Sequence, residues 1–550
     1  MLFLHHHFKN VFKIYSVFEL TKLKRYLFSI LGGLLMVLSF PFTGSLPLLM
    51  LFAFIPLLLI EETILHRKYR ASKLFIHSYI VFFIYNVGTT WWIWNASIGG
   101  AIFAFTLNSL IMALVFQAFH ITKKHIGKYE GNIALVIFWI GFEYLHFHWE
   151  LSWPWLNLGN VFASSPILVQ WYSISGILGG TAWVLVCNLL GFNILKNVFF
   201  KNKTWASQKQ NVLILFAGII LPISFSLIQY YSYSETGKDT EIVITQPNID
   251  PYNEKFTGSV NDQLDKICSL ADKKVTTKTD FVLAPETALP FMFYEDEIQR
   301  IIYFHYLIER KAIWNGPSLL IGASTKKYFK TKNSRASKKI YGGPGFEEYY
   351  NSSMLLDEYD NPKFVHKSKL VLGVEKVPFS NVFPYLEELS INNGGTSGTL
   401  GVEDESQVLS SKGIKFAPVV CYESIYGEFI SDQCNKGAEL IFVITNDGWW
   451  GNTPGYKQHN AFSRLRAIEN RRSVARSGNT GISSFINQRG DVLQASSWWI
   501  ETSIKETVKR NSKKTFYTRY GDIIGQSLSF SALFLFLFTL YKIIYRRFKK

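Results

Sequence analysis

Three residue types that together suit nucleophilic catalysis stand at the ends of apolar runs in the second half of this 550-residue chain. Glu286 follows Phe281-Val-Leu-Ala-Pro, Cys421 follows Phe416-Ala-Pro-Val-Val and precedes Tyr422-Glu423, and Lys367 leads by eight residues to Glu375. A thiolate attacks a carbonyl, a carboxylate removes and returns the proton, and an ammonium with a backbone N–H steadies the oxyanion. Taken singly, each has an ordinary reading: a cysteine as a small buried hydrophobe, a lysine as a solvated charge, a glutamate after proline as a cap or loop residue. Composition and periodicity do not select these three from 41 acids, 57 Lys and Arg and four cysteines.

The elements that must hold them are short β-branched runs separated by turn residues. They cover 241–249, 280–290, 317–324, 352–360, 416–424, 439–447, 473–481 and 482–493, with helix-like stretches at 259–275, 295–313 and 456–471. Strands alternating with helices indicate an α/β domain, here 240–518, with its site at the carboxyl ends of strands. The four cysteines, Cys187, Cys268, Cys421 and Cys434, have neither zinc-ligand spacing nor the density of a disulfide scaffold. The histidines show no ligand spacing either, so no metal site and no cofactor is expected.

The rest of the chain is far more apolar. The whole is 48% hydrophobic, 16% aromatic and only 18% charged. Seven apolar runs, near 26–42, 46–60, 74–98, 101–120, 132–147, 176–199 and 212–232, precede the α/β block, and one, 522–541, follows it. Each approaches the ~20 residues that cross a bilayer as a helix. The expectation is a transmembrane bundle of about eight spans: a cytoplasmic tail 1–25, helices 1–7 within 26–235, an eighth at 521–541, and a basic cytoplasmic tail 542–550. Alternate flanks, including 61–73, 121–130, 196–209 and both termini, carry twenty-one Lys and Arg, whereas 41–46, 99–101 and 148–175 carry none. Positive flanks stay cytoplasmic, which puts both termini inside and 240–518 outside. The net charge of +16 is then largely an orientation signal and not a nucleic-acid surface. The runs hold few ionisable residues apart from positions near their ends such as Glu143, which disfavours transport. The Trp-rich loop 148–162 reads as an interfacial aromatic belt or a platform for an acyl substrate.

Further motifs select among these readings: Gln246-Pro-Asn-Ile, Pro285-Glu-Thr, Lys367-Ser-Lys-Leu-Val with Glu375 and Val377-Pro378, Cys421-Tyr-Glu, Asn446-Asp-Gly-Trp-Trp-Gly, Arg464-Leu-Arg-Ala-Ile-Glu and Arg476-Ser-Gly-Asn-Thr-Gly. In this order, and with Trp153-Pro-Trp-Leu-Asn-Leu-Gly upstream, they resemble the carbon–nitrogen hydrolase (nitrilase) superfamily in its membrane-embedded branch, the apolipoprotein N-acyltransferases. The resemblance implies an α-β-β-α sandwich inserted before the last span, with Cys421 as nucleophile, Glu286 as general base and Lys367 as oxyanion-side cation. The Gly/Ser/Thr-rich run Gly394–Gly401 reads equally as a mobile lid or as an ordinary flexible loop. The resemblance makes Glu375, Tyr422 and Glu423 supporting residues, and Phe256, Trp155 and Trp449 candidates for substrate contact. It implies a phospholipid acyl donor, a diacylated apolipoprotein acceptor, and a place in the bacterial cytoplasmic (inner) membrane with the catalytic domain outside. The alternative with the same triad is a membrane-tethered amidase. The chain departs from the family at Leu372-Gly373-Val374, where Pro-Phe-Gly is commoner, and in a basic insertion-like stretch, 326–349.

Overall fold

The computed structural model describes residues 20–127, 130–380, 382–383, 385 and 398–549. Among the described residues, seven helices of twelve or more residues come first: α1 (Lys22–Ser39), α2 (Ile55–His66), α3 (Ala71–Thr90), α4 (Ile98–Ile126), α5 (Glu130–His148), α6 (Tyr172–Phe199) and α7 (Lys209–Ser232). Among the described residues, five segments are long and apolar enough to cross a membrane: Pro47–His66, Ile98–Ile126, Tyr172–Phe199, Trp205–Ser232 and Ile523–Phe548. The last of these is the helix that follows the α/β domain. One group of ionisable side chains buried in the bundle lies toward the ends of its helices. Glu61 and Glu62 of α2 meet His120 and Lys123 of α4 and Lys196 of α6 at 2.5–3.1 Å, so the charges of this group are paired. Glu143 of α5 is also buried, and accepts hydrogen bonds from Trp139, Thr181 and the Leu158 N–H.

Period-2 alternation builds the α/β domain. Strands β1 (Lys238–Gln246), β2 (Thr279–Leu283), β3 (Leu289–Tyr294), β4 (Ser318–Phe329), β5 (Lys338–Lys339), β6 (Phe346–Leu356) and β7 (Pro362–His366) form one sheet with β14 (Thr502–Arg510). Strands β8 (Leu409–Ser411), β9 (Ile414–Val420), β10 (Leu440–Thr445), β11 (Ser473–Gly478), β12 (Ser484–Ile486) and β13 (Val492–Ala495) form the other. Both have parallel centres, β1-β2-β4 and β9-β10-β11. On β1, Ile242 and Ile244 point inward to meet Phe281, Phe416, Phe442 and Ile444 between the sheets. Val243 between them points outward, onto a layer with Leu264 and Ile267 of helix α8 (Val260–Asp272) and Leu307 of helix α9 (Ile302–Ile313). The other sheet turns Val419, Ile441 and Val443 toward Ile430 of α10 (Gly427–Asn435) and Ala467 of α11 (Pro454–Asn470). The expected α-β-β-α sandwich is therefore present. Helix α12 (Ile523–Phe548) follows it and packs on α4 and α5.

Two stretches acquire structural roles. Residues 154–162 of the 148–162 loop are buried within the protein, while 148–153 are not. Trp155 is 1% exposed and continues the bundle core into Phe462 and Tyr422 of the α/β domain. The 326–349 stretch is the far end of a long β4–β6 hairpin, and its Arg335 bonds both carboxylate oxygens of Glu150 at 3.0–3.1 Å, just beyond α5. Lys376 grips the same carboxylate at 3.2 Å. Arg335 and Lys376 thus help fasten the domain to the bundle.

Candidate active site

The nucleophile candidate sits on a sharp corner. Strand β9 ends at Val420, Cys421 takes φ +53, and a short 3-10 turn Cys421–Ile425 follows. A left-handed conformation is costly for a residue with a Cβ and persists only when its surroundings over-determine it. Here they do. The Cys421 carbonyl receives hydrogen bonds from Ser424 Oγ (2.8 Å) and faces His459 Nε2 (3.1 Å). His459 in turn faces Asp447 at 2.8 Å, which Arg476 and Thr445 hold at 2.7 and 2.8 Å. All of this network is buried.

The general-base candidate Glu286 lies on the turn after β2, where Gly322 of β4 crosses so closely that a Cβ would stand 2.4 Å from the Thr287 nitrogen. Its Oε1 accepts from Asn351 Nδ2 (2.8 Å) and lies 3.4 Å from Lys367 Nζ, while Oε2 accepts the Asn446 N–H at 2.9 Å. Lys367, just past β7, donates to Glu375 Oε1 at 2.9 Å, and Asn351 donates to the same oxygen at 2.9 Å. Glu375 Oε2 accepts the Val371 N–H at 2.8 Å across a turn that Gly373 closes with φ +83. A left-handed glycine thus makes the Leu372-Gly373-Val374 departure geometrically workable. Glu423 ties the nucleophile corner to the lysine loop: Oε2 accepts from Val420 N (2.8 Å) and Oε1 from Ser368 N (2.6 Å).

Burial acts on every ionisable group here. It would raise the Glu286 carboxyl, but the Lys367 ammonium, the Asn351 amide and the Lys255 charge together hold it below its usual 4.5. Burial would strip the Lys367 proton, but Glu375 and Glu286 keep the ammonium charged and raise its pKa. Burial and the neighbouring Glu286 charge push the Cys421 thiol up, against the pull of Lys367. Glu423 is pushed up by burial to about 7, against its three N–H donors. The resting arrangement is a thiol beside an ionised carboxylate, which suits proton removal during attack instead of before it. Among the described residues no cluster of three His, Cys, Asp or Glu could hold a metal ion.

Comparison with known proteins settles the family. A family model described as apolipoprotein N-acyltransferase N-terminal domain matches residues 32–190, and one described as carbon-nitrogen hydrolase matches 244–515. An apolipoprotein N-acyltransferase of Chlorobaculum tepidum is 30% identical over 520 residues, which cover 91% of this chain and 94% of that protein. The chain belongs to the apolipoprotein N-acyltransferase family. A second relative of that name, from Geobacter metallireducens, is 26% identical over 92% of this chain and 94% of its own. A solved amidase of the nitrilase superfamily from Nesterenkonia aligns over 53% of this chain and 98% of its own at 15% identity, with a TM-score of 0.34.

Within this family member the structure brings Glu286, Lys367, Glu375 and Cys421 together, with Glu423 behind them. Tyr422 points back to the bundle, its ring stacked on Trp153 (centroids 6.3 Å) and its hydroxyl donating to the Ser152 carbonyl at 3.3 Å. Trp155 is packed beneath, against His459 and Trp450. Phe256 is half-buried on the β1–α8 loop. Trp449 is partly buried against Tyr252, whose hydroxyl donates to its carbonyl at 2.7 Å. Of the lid, residues 394–397 lie outside the described ones, while Leu400 N is pinned to the Glu375 carbonyl at 2.9 Å. Sequence reasoning missed Asn351, His459 and Lys255. The motifs around Asn446, Asp447 and Arg476 were visible but carried no role. Asn351 and Lys255 had no sequence signal, being single polar residues made functional only by what the fold sets opposite them.

Proposed function

We propose that this chain transfers an acyl chain from a membrane phospholipid to the free α-amine of an S-diacylglyceryl-cysteine at a lipoprotein N-terminus, through a thioester on Cys421. Family membership supports the activity. The observation that carries the site is that Tyr422, next to the nucleophile, packs on Trp153 of the helical part, so the triad stands at the seam between the α/β domain and an apolar bundle. Lipid-anchored donor and acceptor both need a site beside an apolar bundle. A cleft of about 590 Å³ lies next to this seam, between Phe147 of α5 and Lys369 and Tyr426 of the domain, but its lining includes Glu403, Glu428 and Asp432 and none of Cys421, Glu286 and Lys367.

In the first half-reaction Glu286 takes the Cys421 proton as sulfur attacks the ester carbonyl. Lys367 and a backbone N–H stabilise the oxyanion. On collapse the C–O bond breaks, the proton passes from Glu286 to the departing lysophospholipid oxygen, and the acyl group remains on sulfur. In the second half the acceptor amine attacks the thioester and Glu286 takes its proton. The C–S bond then breaks, leaving an amide and the thiolate, which recovers the proton. Splitting the transfer this way replaces one difficult step by two easier ones.

The chain order and the alternating basic flanks support eight spans, α1 to α7 and α12, in the bacterial cytoplasmic membrane, with both termini cytoplasmic and 240–518 outside. The discriminating experiment supplies donor phospholipid with either water alone or a diacylated lipopeptide. The acyltransferase reading requires an N-acylated lipopeptide as the main product. Release of free fatty acid at the same rate with and without lipopeptide would favour a hydrolase with water as acceptor, and cleavage of a simple amide with no transfer to lipopeptide would favour the tethered amidase.

A further inference from the structure

Lys255 is a second buried lysine at this site, and the chemistry above leaves it idle. It is 2% exposed, on the loop between β1 and α8. Its Nζ donates to the backbone carbonyl of Glu286 at 2.8 Å. Among the described residues no carboxylate lies within ion-pair distance of that nitrogen, although a buried ammonium without a counter-charge is strongly disfavoured. The loop presents it firmly: Lys255 N bonds the Asp250 carbonyl at 2.9 Å, and Gln263 Nε2 bonds the Lys255 carbonyl at 3.0 Å.

The missing counter-charge is found in the site itself. Glu286 and Glu375 bring two carboxylates, and Lys367 supplies one ammonium between them at 3.4 and 2.9 Å. With Lys367 alone these groups carry one net negative charge, and the charge that leaves Glu286 for sulfur or the oxyanion, as Glu286 takes the proton, would have only Lys367 to meet it. With Lys255 charged the same groups are neutral at rest and remain so in either half-reaction, with a second cation to meet the charge in its new place. Burial pulls the Lys255 ammonium down to about 8, while the charges of Glu286 and Cys421 hold it up.

Resting on Cys421 being the acyl-carrying nucleophile, we infer that Lys255 is a positioning residue of the transfer. Its ammonium fixes the Glu286 turn through the Glu286 carbonyl and supplies the charge that makes an anionic sulfur affordable. It acts through Glu286 and through its field, and it needs no contact with substrate.

The test is the pH dependence of Cys421 alkylation by iodoacetamide, followed by peptide mapping on the full chain in detergent, with no lipid substrate present. Lys255→Met removes both hydrogen bond and charge. Lys255→Gln keeps a donor for the Glu286 carbonyl and removes only the charge, and it serves if the Met variant does not fold. Lys255→Arg keeps the charge. The expected result is a midpoint raised by about one pH unit or more in the Met and Gln variants, equivalent to roughly tenfold slower alkylation at neutral pH, with Lys255→Arg within about twofold of wild type. Folded Met or Gln variants with the wild-type midpoint would overturn the inference. A separate acyl-adduct measurement on wild type distinguishes failure of the thioester reading, because the alkylation profile does not depend on it.

Discussion

Each side chain of the site holds a neighbour in a particular charge state. Asn351 is the clearest case, since one amide nitrogen donates to both Glu286 and Glu375. Replacing it by Leu removes hydrogen bonds to charged groups worth about 1.5–3 kcal/mol each. Acylation should slow roughly tenfold to a hundredfold. The Glu286 carboxyl, now held below its usual value, should titrate higher, so the acid limb of a pH–rate profile moves up. The sign for stability follows from the same shift. A depressed carboxyl stabilises the fold above its unfolded pKa, and that contribution is lost as pH falls through the folded value. The Leu variant should therefore lose less stability on acidification from pH 5, as read by thermal unfolding. Lys367→Ala and Cys421→Ala should both abolish transfer. Cys434→Ala should keep it, at a stability cost on the order of 1 kcal/mol, because Cys434 lies on the buried face of α10, in an apolar cluster that does not include the triad.

At the level of elements, the site depends on corners that let backbones approach. Gly322 on β4 faces the Glu286 turn with no room for a methyl group. Gly322→Ala should displace that turn and cost about 1–3 kcal/mol, with a larger proportional loss of activity than of folded protein, measured as specific activity against circular dichroism. The strands carrying Glu286 and Cys421 were legible because β-branched runs end in turn residues, and the layer order followed from alternating β and α. Strand β8 and helix α10 were not set out as separate elements. The first is three residues long, and the second is nine residues whose polarity hides its buried face. The triad was legible only through resemblance to a family. Nothing in local sequence marks Lys255 or Asn351, because their roles arise from contacts 31 and 65 residues away along the chain.

For the molecule as a whole, the bundle and the α/β domain share one hydrophobic core that passes through Trp155. Removing a buried aromatic of this size costs about 3–5 kcal/mol. Trp155→Ala should therefore loosen the seam and lower activity although Trp155 is packed away from solvent. The proposed topology has its own test in sealed right-side-out vesicles, where the native cysteines are buried and give little background. A cysteine at Ser45 or Ser497 should react with an impermeant maleimide, and one at Lys68 or Lys124 only after permeabilisation. Labelling of all four alike, or in the reverse order, would contradict eight spans with an external catalytic domain. The most direct test of the chemistry is the intact mass of the purified chain after incubation with phospholipid. The expected result is a gain of one acyl chain, mapped to Cys421, absent in Cys421→Ala and discharged by a diacylated lipopeptide amine. Transfer to the lipopeptide that persists in Cys421→Ala, or an acyl group mapped to another residue, would contradict it.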